Sequence, residues 1–172
     1  RVRERTRELE ETRLEVLERL TQAAEFRDDM TGQHTRRVGE EAARIACAIG
    51  LPEAEAELIR RAPPLHDVGK IAIPDAVLLK PGRLTPEEFE VMKTHTTRGG
   101  EMLAGGRSPL MHVAHTIALG HHERWDGGGY PAGVHGEAIP LPARIVALAD
   151  FYDALTHDRP YRKAWTLEQV WD

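Results

Sequence analysis

The chain has 172 residues, 41% of them hydrophobic, which is enough for one domain with a real core and at most an appendage. A net charge of -5 argues against a nucleic-acid polymer as partner, because phosphate backbones call for a cationic footprint; a small phosphorylated ligand stays open, since bound cations invert the local sign. A single cysteine excludes an intrachain disulfide and fits a reducing, cytoplasmic setting, and no apolar stretch is long enough to span a bilayer.

Residues 1–28 are charged and contain neither Gly nor Pro. Val2, Leu9, Val16, Ala23 and Met30 recur every seven residues, with Leu20 offset by four, although Arg13 and Arg27 spoil the second seam position. This is either a solvated helix that lays one stripe on its own domain, or a parallel coiled coil that makes a homodimer and connects to an upstream sensor or receiver domain. We take 1–28 as a signalling or dimerisation helix and 29–172 as the main domain. The chain starts without Met and stops just after a helix-start signal, which reads as a fragment of a longer protein.

Val38, Ala42, Ile45, Ala46 and Ile49 have helical spacing, and Gly50 is placed to end that helix. Cys47, within the apolar run Ile45 to Ile49, is expected to be a buried structural thiol. A second helix starts near Pro52 and Glu53 and breaks at Pro63-Pro64, which lack two N–H donors. Residues 72–84 read as a loop with a short extended or helical piece. Thr85-Pro86-Glu87-Glu88 is a helix start, with Thr as N-cap, Pro at N1 and Glu at N3. His95 is expected at the end of that helix, with Phe89 and Met92 facing the core. Pro109 opens a helix through His122, residues 126–141 form a glycine-rich loop, and Pro142 at N1 opens an apolar helix through Leu155. Thr166 with Gln169 makes one more capping box. No alternating strand pattern occurs, so the fold class is all-α.

The chemistry concentrates on His34, His66, Asp67, His95, His121, His122 and Asp150. Imidazole and carboxylate donors suit Zn, Fe, Mn and Ni. So many in one small domain point to more than one metal and to hydrolysis of a phosphate ester. Asp67 and Asp150 sit among apolar neighbours, where an ionised carboxylate is costly unless paired or metal-bound. His121 and His122 diverge by about 100° on a helix, so both reach one metal only where the helix ends or bends. His112, His115, His135 and His157 are taken as ordinary histidines, with His115 sharing a helix face with His122.

His66-Asp67-Val68-Gly69-Lys70, His121-His122-Glu123, Asp126-Gly127-Gly128-Gly129-Tyr130-Pro131, Ile139-Pro140-Leu141, Asp150 and Arg159-Pro160-Tyr161-Arg162 together resemble the HD-GYP domain, within the HD superfamily of metal-dependent phosphohydrolases. The resemblance covers about residues 25–172 and implies an HD-domain helical bundle, incomplete at its C-terminus. It implies cyclic di-GMP as the substrate, hydrolysed to pGpG or onward to GMP. It implies two divalent metal ions, Fe or Mn first, then Zn, Ni or Co. One would take His34, His66, Asp67 and Asp150, and the other His95, His121 and His122, with Asp67 bridging. Asp67 and Lys70 are the catalytic candidates. Lys70, Gly128, Tyr130, Arg159 and Arg162 are the candidates for holding substrate, and Glu123 for orienting a ligating imidazole. Where some members carry a Glu that supports a third metal, this chain has Met30, a poor ligand for hard ions. The competing readings are a cyclic-dinucleotide sensing or protein-interaction module, and a phosphohydrolase acting on another nucleotide.

Overall fold

A computed structural model describes residues 4, 5, 12, 15, 16, 19, 33–157, 163–166, 168 and 169. Among them every regular element is helical. The elements are α1 (Gln33–Ala48), α2 (Glu53–Arg61), α3 (Asp75–Leu78), α4 (Pro86–Leu103), α5 (Pro109–Gly120) and α6 (Leu141–Thr156), with 3-10 turns at Pro63–Leu65, Val68–Ala72 and Gly136–Ala138. Helix α5 packs against α2, α4 and α6, and α1 packs against α2 and α6. The buried seam is largely alanine and valine: Val38, Ala42 and Ala46 of α1, Ala114 and Ala118 of α5, and Val146 and Ala149 of α6. Small side chains let the helices approach closely, so a chain poor in aromatics still fills its interior.

Local signals set the boundaries. Gly50 has φ +83°, a conformation that stops α1 without a Cβ penalty. The Thr85 hydroxyl accepts from the Glu88 N–H, and the Glu88 carboxylate accepts from the Thr85 N–H, so the expected capping box forms. Thr166 and Gln169 make the same reciprocal pair. The two prolines convert the end of α2 into the 3-10 turn at Pro63–Leu65. Within the stretch 72–84 the short piece is α3.

Four expectations change. Cys47 is exposed, because it lies about 100° round α1 from the buried Ala46. His95 lies mid-helix, because Gly99-Gly100 continue α4: a Cβ on Gly100 would lie 2.5 Å from Leu119 of α5, so these glycines serve helix contact rather than helix ending. Phe89 faces outward, 45% exposed. Helix α5 stops at Gly120, two residues short of His122. Of the heptad positions only Val16 falls among the described residues, and it is 51% exposed. Met30 and the boundary at 28/29 lie outside them.

Candidate metal centre

Six local structures deliver the donors. His34 sits in the first turn of α1, His66 closes the Pro63–Leu65 turn, and Asp67 precedes the next 3-10 turn at φ -101°, ψ 9°. His95 comes from α4, His121 is the C-cap of α5 with His122 directly after it, and Asp150 comes from α6. Because α5 ends here, the His121 and His122 rings turn to the same side, with centroids 4.1 Å apart. All seven expected donors converge, as two clusters: His34, His66 and Asp150, and Asp67, His95, His121 and His122. Asp67 joins them. Its Oδ2 lies 3.1 Å from His66 Nε2, and its Oδ1 lies 3.3 Å from His95 Nε2 and 3.6 Å from His121 Nε2.

The imidazoles are oriented from behind. Nδ1–H donates from His66 to the Pro63 carbonyl (2.7 Å), from His95 to the Met92 carbonyl (2.8 Å) and from His121 to the Ile117 carbonyl (3.0 Å). His34 Nδ1–H donates to Asp153 Oδ2 at 2.6 Å, leaving its Nε2 facing Asp150 Oδ1 at 3.1 Å. An acceptor at Nδ1 fixes the tautomer and leaves Nε2 as the outward donor atom.

The charges argue for a cation. Asp67 Oδ1 is buried and has no hydrogen-bond partner, while the Nε2 atoms facing it carry lone pairs in the tautomer just described. Electron pairs converging with no proton between them fit a divalent ion. Burial, together with the neighbouring imidazoles, holds His95 down to about 4 and His122 down to about 3, so both are neutral at pH 7. Burial also opposes the charge on His66, but the Asp67 carboxylate outweighs it and raises His66 to about 9. Burial would raise Asp150, but its bond with His34 brings it to about 2. In Asp67 too, burial is overcome by His66 and Lys70, which hold it well below the usual carboxylate range.

Asp153 was not foreseen as part of the site. It is 2% exposed, accepts from His34, and receives Arg37 Nε at 2.5 Å and Nη2 at 3.0 Å. The signal was present: His34/Arg37 and Asp150/Asp153 are each three apart, hence on one helix face.

The other candidates divide. Lys70 Nζ is 2.9 Å from Asp67 Oδ2, at the centre's edge. Tyr130 stacks on His122 (centroids 4.7 Å, 29°), so one face of its ring is taken. Gly128 donates its N–H to Asp126 Oδ1, and Gly129 is where a side chain cannot fit: a Cβ there would lie 2.5 Å from the His122 carbonyl. The glycines therefore bring the loop onto its own chain, tied by Tyr130 N–H to the His122 carbonyl at 3.1 Å. Glu123 is corrected too: it is buried, and its Oε1 accepts from the Ala132 N–H at 2.7 Å, holding the loop rather than an imidazole. His157 Nδ1 lies 3.1 Å from Asp153 Oδ1, so it joins the same network. Arg159 and Arg162 lie outside the described residues.

Comparison with known proteins agrees with this geometry. The HD domain family model matches residues 18–172. The chain is 53% identical over 161 residues to the cyclic di-GMP phosphodiesterase response regulator RpfG of Xanthomonas campestris, covering 94% of this chain and 43% of that protein. It is 50% identical over 163 residues to a cyclic di-GMP phosphodiesterase of Thermotoga maritima, covering 95% and 44%. It is 47% identical over 163 residues to the 3'3'-cGAMP-specific phosphodiesterase 2 of Vibrio cholerae, covering 95% and 31%. The chain thus spans less than half the length of these curated relatives.

Proposed function

The chain belongs to the HD domain family, and from that membership and its paired donor clusters we propose that it is a metal-dependent phosphodiesterase that hydrolyses cyclic di-GMP to pGpG, or onward to GMP. The observation that carries this is Asp67: one half-buried carboxylate faces donors of both clusters, as a centre with two cations requires. Two divalent ions held there, Fe or Mn by preference, would supply a nucleophilic water at neutral pH and neutralise charge on the phosphoryl oxygens. His34, His66, Asp67 and Asp150 would hold one, and His95, His121 and His122 with Asp67 the other.

The chain's own residues do the rest. The carbonyls behind His66, His95 and His121, and the Asp153 carboxylate behind His34, keep each Nε2 aimed inward without reorganisation. Lys70 Nζ, held by Asp67, sets a positive charge at the rim, where a phosphate oxygen or a leaving oxygen gains from it. Tyr130, pinned on His122, walls one side of the site. Arg159 and Arg162 are proposed to grip phosphate or a guanine edge.

The test is turnover of cyclic di-GMP by anaerobically prepared Mn- or Fe-loaded protein, products resolved by chromatography, with Asp67→Ala as control. Metal-dependent product that vanishes in the variant supports the reading. Absence of turnover with metal bound, or faster turnover of 3'3'-cGAMP than of cyclic di-GMP, overturns the activity or the substrate respectively.

We further propose a homodimer through residues 1–28, an upstream sensor or receiver domain in the whole protein, and action in the cytoplasm. The name of the Xanthomonas relative, a response regulator, supports the regulatory part. No described helix is long and apolar enough to cross a membrane. Light scattering should show a dimer that becomes a monomer when residues 1–24 are removed; an unchanged mass rejects the dimer.

A further inference from the structure

Trp125 lies three residues beyond His122 and is 64% exposed. Its loop is held firmly. Gly136 N–H donates to the Trp125 carbonyl (3.1 Å), Gly127 N–H donates to the Arg124 carbonyl (2.8 Å), and Asp126 accepts from Arg124 Nη2 (2.7 Å) and from the Gly128 N–H (2.9 Å). Against the indole lies Arg144 of α6, its guanidinium carbon 5.8 Å from the ring centroid. Arg144 Nε is buried and has no hydrogen-bond partner, and its guanidinium lies beside the ring. Two other rings near the histidines are engaged internally. Tyr130 stacks on His122, Phe89 meets Tyr130 edge-on with centroids 6.0 Å apart, and Lys93 Nζ lies 5.6 Å from the Phe89 centroid and 5.9 Å from the Tyr130 centroid. Trp125 thus presents, three residues from His122 and on a hydrogen-bonded loop, a large flat ring open to solvent.

Resting on the cyclic dinucleotide reading above, we propose that Trp125, backed by Arg144, is the platform on which one guanine base of the substrate stacks. A phosphodiester at the metal donors carries its base along the neighbouring surface. Arg144 and Asp150 share α6 and are six residues apart, about 9 Å along the axis and about 120° round it, so a nucleotide joining them would wrap part of the helix. Indole has the widest π face among side chains, and base–aromatic stacking is worth enough to govern affinity. The guanidinium lies over one face of the ring, and the opposite face is left to the base.

The experiment is calorimetric titration of metal-loaded protein with GMP, pGpG and ribose 5-phosphate, comparing the natural chain with Trp125→Ala and Trp125→Phe. The exposed ring can be removed without opening the core. Trp125→Ala is expected to weaken GMP and pGpG by roughly ten- to a hundred-fold, Trp125→Phe to recover most of that, and ribose 5-phosphate to bind all three proteins alike. Unchanged GMP affinity in Trp125→Ala, or an equal loss for ribose 5-phosphate, overturns the platform. The two readings fail separately. Trp125-dependent GMP binding without cyclic di-GMP turnover sinks the phosphodiesterase and keeps the platform, whereas turnover with Trp125-independent binding does the reverse.

Discussion

The single carboxylate of Asp153 shows how a residue outside the donor set can govern it. It is buried, accepts from His34 Nδ1–H, and is itself neutralised by Arg37. Burial would raise its pKa, but His34 and Arg37 hold it well below the usual range, so it is ionised at neutral pH. Asp153→Asn keeps the shape and removes the charge that fixes the His34 tautomer. Metal titration should show about a 10- to 100-fold weaker affinity in the cluster of His34, His66 and Asp150, with the other cluster unaffected. Equal weakening of both clusters would contradict this. The candidate donors were legible in the sequence, because His66-Asp67, His121-His122 and an Asp inside the apolar run of α6 are costly unless they bind something. The supports were not, since the Asp153 partner lies 119 residues away and its acceptor role depends on the meeting of two helices. Cys47 was misjudged for a related reason: a run of apolar letters says nothing of helix phase, and α1 turns Ala46 inward and Cys47 outward.

At the scale of elements, the 3-10 turn bearing Asp67 is positioned by contact with α4. A Cβ on Gly69 would lie 1.9 Å from the His95 carbonyl and 2.4 Å from the Gly99 nitrogen, both backbone atoms that cannot swing aside. Gly69→Ala must therefore push the turn off α4 and draw Asp67 away from His95. Urea denaturation should show a loss of about 1–3 kcal/mol, together with reduced metal content. Gly50→Ala is the control: its φ of +83° costs a side chain strain, but nothing lies within 4 Å of the new Cβ, so stability alone should fall. A Gly69→Ala protein with full metal content would refute the positioning role. Element order and most boundaries followed from caps and prolines. The length of α4 did not, because Gly99-Gly100 looks like a stop until α5 is seen pressing against it.

Over the whole molecule the centre fastens α1, the two 3-10 turns, α4, α5 and α6 around one point, so its occupancy should control the stability of the domain. In the metal-free protein the His66 imidazole is protonated beside Asp67, with a pKa raised to about 9, against about 6.5 for an unfolded histidine. Between those values the native state holds a proton that the unfolded chain has released, so stability falls as pH rises through the window. Chelated protein should melt below metal-loaded protein at pH 6.5, and further below it at pH 9, where a bound cation makes that proton unnecessary. A pH-independent gap between the two melting temperatures would count against His66 as the site of exchange.

The span from His34 to Asp153 also bears on synthesis. A ribosome adding about 5–20 residues per second needs roughly 6–24 s to cover 119 residues. For that interval His34 exists without the α6 carboxylates, and no nascent fragment carries the finished cluster of His34, His66 and Asp150. A cation held by that cluster would therefore be chosen after translation, by the free-ion pool that the completed chain meets, and overexpression in a medium rich in the wrong ion would misload it without any fault in folding.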